Sequence, residues 1–310
     1  MNDYPTKHKK EIVDYAILNS NKAACEKYGL SIETIKRYRR YYNDDKLLHL
    51  EHIKDKYSVA ELKAIASGTL PGKISSPKLI YTNNYIKIGF ITDTHFGSKY
   101  FNEGWYDSAL NEFERQNVDL ILHTGDIVDG MDMSKHGHIY ELTHLGFDEQ
   151  LEYAKFQLSK TSKQIYVIDG NHDRWFVKAA GANPVKQLGN ILENVTYLGS
   201  DWGTLPINDI TVMLWHGEDG NSYAISYRVQ KIIESLQGGE KPNLLLCGHT
   251  HKYTQLFDRN IHIISGGCLQ RQTPHLRSKR IQVHPCFHII ELELDSGIKQ
   301  IRTSLFPFYK

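Results

Sequence analysis

Five apolar runs with the length of buried β-strands lie between residues 86 and 247. They occupy residues 86–92, 118–123, 164–168, 210–215 and 243–247. Short continuous runs of this kind predict strands that are covered on both faces of a sheet. Residues 146–159 have the spacing and length of a helix between the second and third strands. The pattern therefore predicts an α/β domain in which strands and helices alternate.

The first 45 residues have helical spacing instead. Their apolar positions from 12 to 17 fall on one helix face. Ser20 and Ser31 suit helix N-caps, and Gly29 suits a helix C-terminus that needs positive φ. We predict three helices, with a tight turn at residues 29–31 between the second and the third.

The third predicted helix, residues 32–42, is basic on its outer face. Its cations are Lys36, Arg37, Arg39 and Arg40. Residues 21–42 resemble the DNA-binding helix-turn-helix of resolvases and transposases. The resemblance implies that the third helix enters the major groove and that its cations contact phosphates. The alternative is a small three-helix bundle whose charges only solvate its surface.

The domain organisation follows from the breaks in these patterns. Residues 46–68 are charged and leucine-spaced, which predicts another helix, and residues 67–77 are rich in Ser, Gly and Pro, which predicts a linker. Residues 78–82 and 85–92 resemble two strands joined at Asn83 and Asn84. We expect a helix-turn-helix at 1–45, a helix and linker at 46–77, and the α/β domain at 78–310.

Composition narrows the class of protein. The net charge is only +1, yet residues 1–42 hold nine Lys or Arg against five Asp or Glu. A basic head therefore precedes a mildly acidic body. No apolar run reaches the ~20 residues that span a bilayer, and the polar start does not resemble a secretory signal. The scattered Cys25, Cys247, Cys268 and Cys286 suggest reduced, buried thiols in a cytoplasmic protein.

A polar motif follows each of the five predicted strands. The motifs are Asp93-Thr94-His95, Gly125-Asp126, Gly170-Asn171-His172-Asp173, His216-Gly217 and Gly248-His249-Thr250-His251. Loops at strand ends gather at one edge of a sheet. Carboxylate, amide and imidazole donors without cysteine suit Mn²⁺, Fe²⁺ or Zn²⁺ and argue against a structural zinc site. Two such ions ~3.5–4 Å apart could hold a hydroxide between them for phosphoryl transfer.

These five motifs, in this order, resemble the calcineurin-like metallophosphoesterases over residues 86–290. The resemblance implies a four-layer α/β/β/α sandwich and two divalent metal ions as cofactors; we expect manganese, with iron or zinc as alternatives. It implies that the first ion is bound by Asp93, His95 and His251, that Asp126 bridges, and that the second ion is bound by Asn171, His216 and His249. It further implies that His172 faces the phosphate and that Asp173 orients His172 through a hydrogen bond.

Other polar residues near the motifs allow two interpretations each. Arg174 could hold a phosphate oxygen or form a loop salt bridge. His136 and His138 could line the substrate path or lie on a surface loop. Arg271, in the basic segment 271–280, could bind substrate along a nucleic-acid backbone or belong to a solvated loop.

The choice of substrate rests on local departures from one branch of the family and on the basic head. Gly130 stands where protein Ser/Thr phosphatases have Arg, and Asp173 where they have Glu. Residues 93–97 are similar to the opening motif of double-strand-break repair nucleases. We expect a metal-dependent nuclease or phosphodiesterase with DNA as its partner. The alternatives are a phosphomonoesterase or cyclic-nucleotide phosphodiesterase, and a non-catalytic DNA-binding regulator.

Overall fold

The computed structural model describes residues 6–41, 77–132, 134, 137–218, 224–237 and 239–308. The chain divides into two compact units, residues 1–73 and 74–310. The helix predicted at 46–68 lies outside the described residues, as does the linker before residue 77.

The first unit contains three helices within its described part. They are α1 (Thr6–Asn19), α2 (Asn21–Tyr28) and α3 (Ile32–Tyr41). The Ser20 side chain accepts a hydrogen bond from the backbone N–H of Ala23 at 3.3 Å, which caps α2. Gly29 has φ of +63° at the end of that helix, and Ser31 accepts from the Thr34 N–H at 3.2 Å. The boundaries thus fall where the capping residues placed them. The three helices pack on a shared core of Ile12, Val13, Ala16, Ala24, Ile35 and Tyr38.

The second unit is built on two β-sheets. The first sheet has six strands in the order β11-β10-β1-β2-β3-β4, and the second has five in the order β5-β6-β7-β9-β8. Strands β1, β2, β3 and β4 are parallel neighbours, as are β6, β7 and β9. The strands are β1 (Tyr85–Ile91), β2 (Leu120–His123), β3 (Ile165–Asp169), β4 (Val195–Ser200), β5 (Trp202–Ile207), β6 (Ile210–Trp215), β7 (Leu244–Cys247), β8 (Tyr253–Asp258), β9 (Ile261–Gly266), β10 (Cys286–Leu294) and β11 (Ile298–Pro307).

Helices cover the outer faces of both sheets. They are α4 (Glu103–Arg115), α5 (Gly146–Leu158), α6 (Asp173–Ala180), α7 (Pro184–Ile191), α8 (Tyr227–Ser235) and α9 (Pro274–Ser278), with a short 3-10 helix at His138–Glu141. One apolar core joins α4 to α7 with the six-stranded sheet, a second lies between the sheets, and a third joins α8 to the five-stranded sheet. These cores give the unit a mixed α/β fold with the layer order α/β/β/α.

Residues 78–82 do not form the predicted strand. Only Leu79 makes an isolated bridge, to Ile207. The Asn208 side chain accepts from the Tyr81 N–H at 2.8 Å, and the Asn208 amide donates to the Tyr81 carbonyl at 3.2 Å. A side-chain amide thus takes the hydrogen bonds that a neighbouring strand would have made.

Two expectations about the whole chain can be compared with the described residues. No helix among them has both the length and the apolar character needed to cross a membrane. The cysteines are unpaired; Cys247, Cys268 and Cys286 are buried and Cys25 is half-buried. Burial is therefore the structural role of three of the four thiols.

Candidate metal centre

The five polar motifs meet because their strands are neighbours. The first three follow β1, β2 and β3, which run side by side in the first sheet, and the last two follow β6 and β7 in the second. Parallel strands end at the same edge of a sheet. Packing the two sheets face to face then brings both edges to one place, so motifs that are distant in the chain converge.

The backbone of the motifs is held in a left-handed conformation that residues other than glycine rarely adopt. Five motif residues have φ between +50° and +71°: Asp93, His95, Asp126, His249 and His251. Hydrogen bonds hold the first two loops together, from the Asp93 N–H to the Gly125 carbonyl at 3.1 Å and from the His95 N–H to the Asp126 carbonyl at 3.0 Å. The left-handed conformation costs free energy in residues other than glycine, and such residues are concentrated at functional sites. The surrounding packing therefore maintains a local strain that the site requires.

Residue 248 has to be glycine because its Cα lies close to Thr92 and Asp93 of the first loop. A Cβ at this position would lie 2.5 Å from Thr92 Oγ1 and 2.9 Å from Asp93 Oδ2. Neither neighbour can move without displacing the first motif, so a side chain at residue 248 would separate the last motif from the first.

The first donor group consists of four side chains at the end of β1 and β2 and in the last motif. These are Asp93, His95, Asp126 and His251, and their ligand atoms all lie within 4.8 Å of one another. His251 Nε2 is 3.1 Å from Asp93 Oδ1 and 3.2 Å from His95 Nε2. His95 Nε2 is 3.7 Å from Asp126 Oδ2. All four residues are buried.

The second donor group shares Asp126 with the first. Asp126, His216 and His249 place ligand atoms within 4.8 Å of one another. His216 Nε2 lies 3.1 Å from Asp126 Oδ2 and 3.1 Å from Asn171 Oδ1. Asn171 Oδ1 is also 2.7 Å from His249 Nδ1, so Asn171 belongs to this group. The structure therefore brings all seven residues of the predicted ligand set together in two groups around one carboxylate.

The hydrogen bonds behind the histidines indicate what these groups can hold. His95 Nδ1 is 2.9 Å from Asp129 Oδ1, and His216 Nδ1 is 2.7 Å from the Thr124 carbonyl. Both partners can only accept, so each Nδ1 carries a hydrogen. When the ring is neutral, the lone pair on Nε2 then faces the other potential metal-ligand atoms of its group. Such a cluster of electron-rich atoms requires protons or a cation, and its donor types fit a divalent transition-metal ion.

The pKa values of His95, His216 and Asp93 also show that positive charge is favoured in these groups. Burial opposes protonation of His95, but Asp129 and Asp126 outweigh it and raise the pKa of His95 to about 9. Burial likewise opposes protonation of His216, and the Asp126 carboxylate outweighs it and raises the pKa of His216 to about 10. Burial raises the pKa of Asp93, but His251 more than compensates and lowers it to about 2. Protons on the histidines therefore occupy the place that metal ions would take.

Three supporting residues were not among the predicted site residues. Thr92 donates to Asp93 Oδ2 at 2.5 Å, and Thr124 donates to Thr92 at 2.7 Å. Asp129 orients His95, as described above, which is the usual task of a carboxylate behind a metal-binding histidine. The threonines precede two motifs directly, and Asp129 follows Asp126 by three residues. That adjacency is the signal by which they could have been found.

The surroundings of His172 differ from the expectation. His172 Nδ1 is 2.7 Å from the Asp129 backbone carbonyl, and burial lowers the pKa of His172 to about 4. Asp173 instead accepts from the backbone N–H groups of Ile127, Val128 and Gly170 at 2.8–3.2 Å. Its carboxylate fixes the loops of the second and third motifs, so the expected hydrogen bond from Asp173 to His172 is replaced by one to the Asp129 carbonyl. Burial and the charge of Asp126 raise the pKa of Asp173 to about 7.

Arg174 belongs to an ion-pair network. Its guanidinium lies 3.0 Å from Asp169, 3.1 Å from Asp201 and 2.8 Å from Glu218, and its side chain is only 12% exposed. The geometry favours the salt-bridge interpretation over the phosphate-binding one. The other predicted substrate residue, Arg271, is exposed, and its guanidinium lies 5.9 Å from the Trp105 ring centroid.

The predicted DNA-binding residues lie on α3, in the other unit. Lys36 and Arg37 are exposed. Arg39 is partly buried and donates to Asn21 Oδ1 at 2.9 Å, which joins α3 to α2. The side chain of Arg40 lies outside the described part of the helix. Arg39 therefore has a structural partner that the outer-face prediction did not foresee.

A cavity of about 360 Å³ opens above the two donor groups. His138 borders it, 3.4 Å from Asp129 and with its ring against Trp175, whereas His136 is outside the described residues. The described residues that line it are His95, Ser98, Asp126, Asp129, His138, Glu141, Asn171, His172, Trp175, Glu218, His249, Thr250, His251, Gln270, Thr273, His275, Leu276 and Ile281. A ligand in this cavity would thus contact both donor groups and His172.

The chain is similar to two curated proteins. The chain is 28% identical over 245 residues to a DNA polymerase II small subunit of Archaeoglobus fulgidus, covering 64% of this chain and 49% of that protein. It is 24% identical over 233 residues to a DNA polymerase II small subunit of Methanothermobacter thermautotrophicus, covering 60% and 48%. The chain thus spans about half the length of these curated relatives.

A solved structure and a family profile match as well. The structure, from the characterisation of a novel archaeal phosphodiesterase, covers 71% of this chain and 100% of its own, with 18% identity and a TM-score of 0.44. The profile described as calcineurin-like phosphoesterase matches residues 86–253, more than half of the chain. Those residues include all five motifs, from Asp93 to His251. The chain therefore belongs to the calcineurin-like phosphoesterase family.

Proposed function

We propose that this chain hydrolyses phosphodiester bonds of nucleic acid, using two divalent cations held by the first and second donor groups. The observation that carries the proposal is the shared carboxylate. Asp126 Oδ2 lies 3.7 Å from His95 Nε2 and 3.1 Å from His216 Nε2, so one side chain serves both groups. Bound divalent cations would lower the pKa of a water molecule and offset the charge of the phosphate.

His172 is the residue that we assign to the leaving group. Its Nδ1–H donates to the Asp129 carbonyl at 2.7 Å, so Nε2 is the nitrogen left to face the cavity that His172 lines. The neutral ring cannot donate through Nε2. An anionic diester beside it favours the protonated form, and Nε2–H can then donate a proton to the departing sugar oxygen.

Nucleic acid as the substrate is supported by two features. Both curated relatives are named small subunits of a DNA polymerase. The N-terminal unit presents Lys36 and Arg37 on the exposed side of α3, after the turn at Gly29. We propose that residues 1–45 form a helix-turn-helix that contacts DNA phosphates and raises the local concentration of substrate at the α/β unit.

Hydrolysis of bis-p-nitrophenyl phosphate with Mn²⁺, Fe²⁺ or Zn²⁺ tests the enzymatic part. We expect turnover with added metal, loss of at least ~10³-fold in Asp126→Asn because both ions lose their shared ligand, and preference for this diester over p-nitrophenyl phosphate. Preference for the monoester would support a phosphomonoesterase. Absence of metal-dependent turnover in a folded, metal-loaded protein would support a non-catalytic regulator.

His172→Ala tests the role of the histidine through the leaving group. p-Nitrophenolate departs without a proton, whereas a sugar alkoxide needs one. We therefore expect His172→Ala to slow the hydrolysis of linear or single-stranded DNA about 10²-fold or more while slowing bis-p-nitrophenyl phosphate much less. Equal losses on both substrates would contradict the assignment.

Charge reversal on α3 tests the N-terminal unit in the full chain. We expect Lys36→Glu with Arg37→Glu to weaken DNA binding and to leave the hydrolysis of the small diester unchanged. Lys10→Glu with Lys22→Glu is the matched control, because both lysines are exposed on the other two helices and the charge change is the same. DNA affinity that falls equally in both variants, at one salt concentration, would remove the recognition role of α3.

A further inference from the structure

The segment from Arg271 to Ile281 combines cavity-lining and cationic side chains. Thr273, His275, Leu276 and Ile281 line the cavity above the donor groups. Arg277, Lys279 and Arg280 lie between Leu276 and Ile281, the first on α9 and the other two in the turn that follows, and all three are exposed. We call these three cations the cationic lip. They lie close to the cavity wall because Leu276 and Ile281, on either side of them in the sequence, form part of that wall.

The three cations of the cationic lip have no acidic neighbour close to them in the sequence. The chain contains no Asp or Glu from Arg259 to Ile290. Within the described part of the chain, the three side chains form no ion pair, whereas Arg174 and Lys160 each contact two or more carboxylates. Solvated surface charges are commonly interspersed with charges of the opposite sign. An uncompensated group of cations beside an active-site cavity is the electrostatic footprint of a polyanion.

The size and depth of the cavity restrict the polyanion. Asp126 and His95 are 2% and 1% exposed, so a scissile phosphate has to reach the cavity floor. A cavity of about 360 Å³ is at the small end for ligand sites. It can take one phosphate with its adjacent sugars, but a base-paired duplex would have to remain outside. We therefore expect the strand that reaches the cavity floor to be unpaired where it enters.

We propose that the cationic lip binds the backbone of single-stranded nucleic acid and leads the strand into the cavity. Arg277, Lys279 and Arg280 contact phosphates that flank the scissile one, and the exposed His275 ring lies where a neighbouring base can stack. Arg271 is not part of the lip, because its guanidinium packs near Trp105. This proposal rests on the proposed function for the position of the scissile phosphate, but binding of the strand can be measured without hydrolysis.

The test compares two charge-reversed full-length variants with the wild type. The first is Arg277→Glu/Lys279→Glu/Arg280→Glu. The matched control is Lys186→Glu/Lys241→Glu/Arg259→Glu, which changes the net charge equally at three exposed cations that do not line the cavity. Binding of fluorescein-labelled six-nucleotide single-stranded DNA, RNA and duplex DNA is measured by anisotropy in EDTA over a range of salt concentrations. With Mn²⁺, KM is measured for the same strands and for bis-p-nitrophenyl phosphate.

We expect the lip variant to weaken single-strand binding at least tenfold and to reduce the slope of log affinity against log salt by about 2, since each phosphate contact contributes about 0.7. KM for the single strand rises in parallel, and kinetics on the small diester stay within twofold. DNA and RNA strands that respond equally indicate backbone recognition, and a DNA-only response narrows the ligand to DNA; both support the proposal.

Several outcomes would overturn it. Equal weakening in the lip and control variants would reduce the effect to net charge. Wild-type binding of duplex as tight as that of single strand, weakened equally by the lip variant, would assign the lip to duplex. Displacement of the strand by poly-glutamate of equal charge at the same concentration would assign it to acidic protein. If no substrate is hydrolysed, the proposed function fails, while anisotropy still decides whether the lip binds the strand.

Discussion

The two donor groups share Asp126 but differ in charge and in how they are held. The first contains a second carboxylate, Asp93, and its Asp93 and His95 side chains are 0% and 1% exposed. The second contains the neutral amide of Asn171, and Asn171 and His249 are only half-buried. Two carboxylates attract a divalent cation more strongly than one, and burial strengthens that attraction. We therefore expect the first group to bind a divalent cation more tightly than the second.

We expect the largest effects on metal affinity from substitutions that remove a carboxylate from the first group or add one to the second. We expect Asp93→Asn to weaken the tighter ion about 10²-fold or more, because one of two buried negative charges is lost. Asn171→Asp should tighten the weaker ion by at least ~10-fold for the converse reason. Metal content after dialysis and calorimetric titration with Mn²⁺ give both affinities. If Asp93→Asn weakens both ions equally, the charge difference does not set their order.

Each donor group contains a histidine whose pKa is raised, so metal binding to both groups should depend on pH. The pKa values of His95 and His216 are raised to about 9 and about 10, so in the metal-free protein both rings are protonated at neutral pH. Each ion therefore displaces one proton, and its affinity rises about tenfold per pH unit between pH 6 and 8, levelling off only near those pKa values. The pKa of His249, lowered to about 4 by burial, adds no linkage in this window.

Calorimetry in two buffers of different ionisation enthalpy measures the protons released. One proton per ion at pH 7 is the expected result, with the same pH slope for both ions. If the affinity of only one ion depended on pH, one of the two histidines, His95 or His216, would not be protonated in the metal-free protein, contrary to the prediction.

Asp129→Asn should act mainly on the first group. Asp129 Oδ1 is 2.9 Å from His95 Nδ1, whereas the corresponding partner of His216 is the Thr124 backbone carbonyl. Asparagine can still accept from His95 but lacks the charge, so we expect about a tenfold loss in affinity for the first ion and little change for the second. The variant and wild type are compared by the same Mn²⁺ titration. Equal losses at both ions would indicate a general rearrangement of the cavity.

The sequence could predict the parts of this centre that depend on local pattern. Buried strands appear as apolar runs, and the polar motif after each run marks the sheet edge, so the pattern could predict that the motifs meet. The grouping of Asp93 with His251 followed instead from the resemblance to the calcineurin-like metallophosphoesterases. The partner of His172 could not be read in this way, because the Asp129 carbonyl is a backbone atom whose direction depends on the turn. The strand predicted at residues 78–82 was wrong for a related reason: the Asn208 side chain takes the backbone hydrogen bonds of Tyr81 that a strand ladder would have made. Arg39 shows the same limit, since its contact with Asn21 depends on how α2 and α3 pack.

Substitution of Arg174 should have the smallest effect on metal affinity, and that effect should be confined to the second group. Its guanidinium joins Asp169, which precedes the third motif, to Asp201, whose Oδ1 accepts from the Gly217 N–H at 2.9 Å beside His216. Replacing Arg174 with Met leaves the buried Asp169 carboxylate without its cation, and we expect a loss of about 2 kcal/mol in the free energy of unfolding. Because the network supports the loops that carry Asn171 and His216, the second ion should weaken a few-fold and the first should not. Chemical denaturation and the Mn²⁺ titration measure both effects. If Arg174 bound a phosphate oxygen instead, Arg174→Met would raise KM for bis-p-nitrophenyl phosphate with stability and metal affinity unchanged.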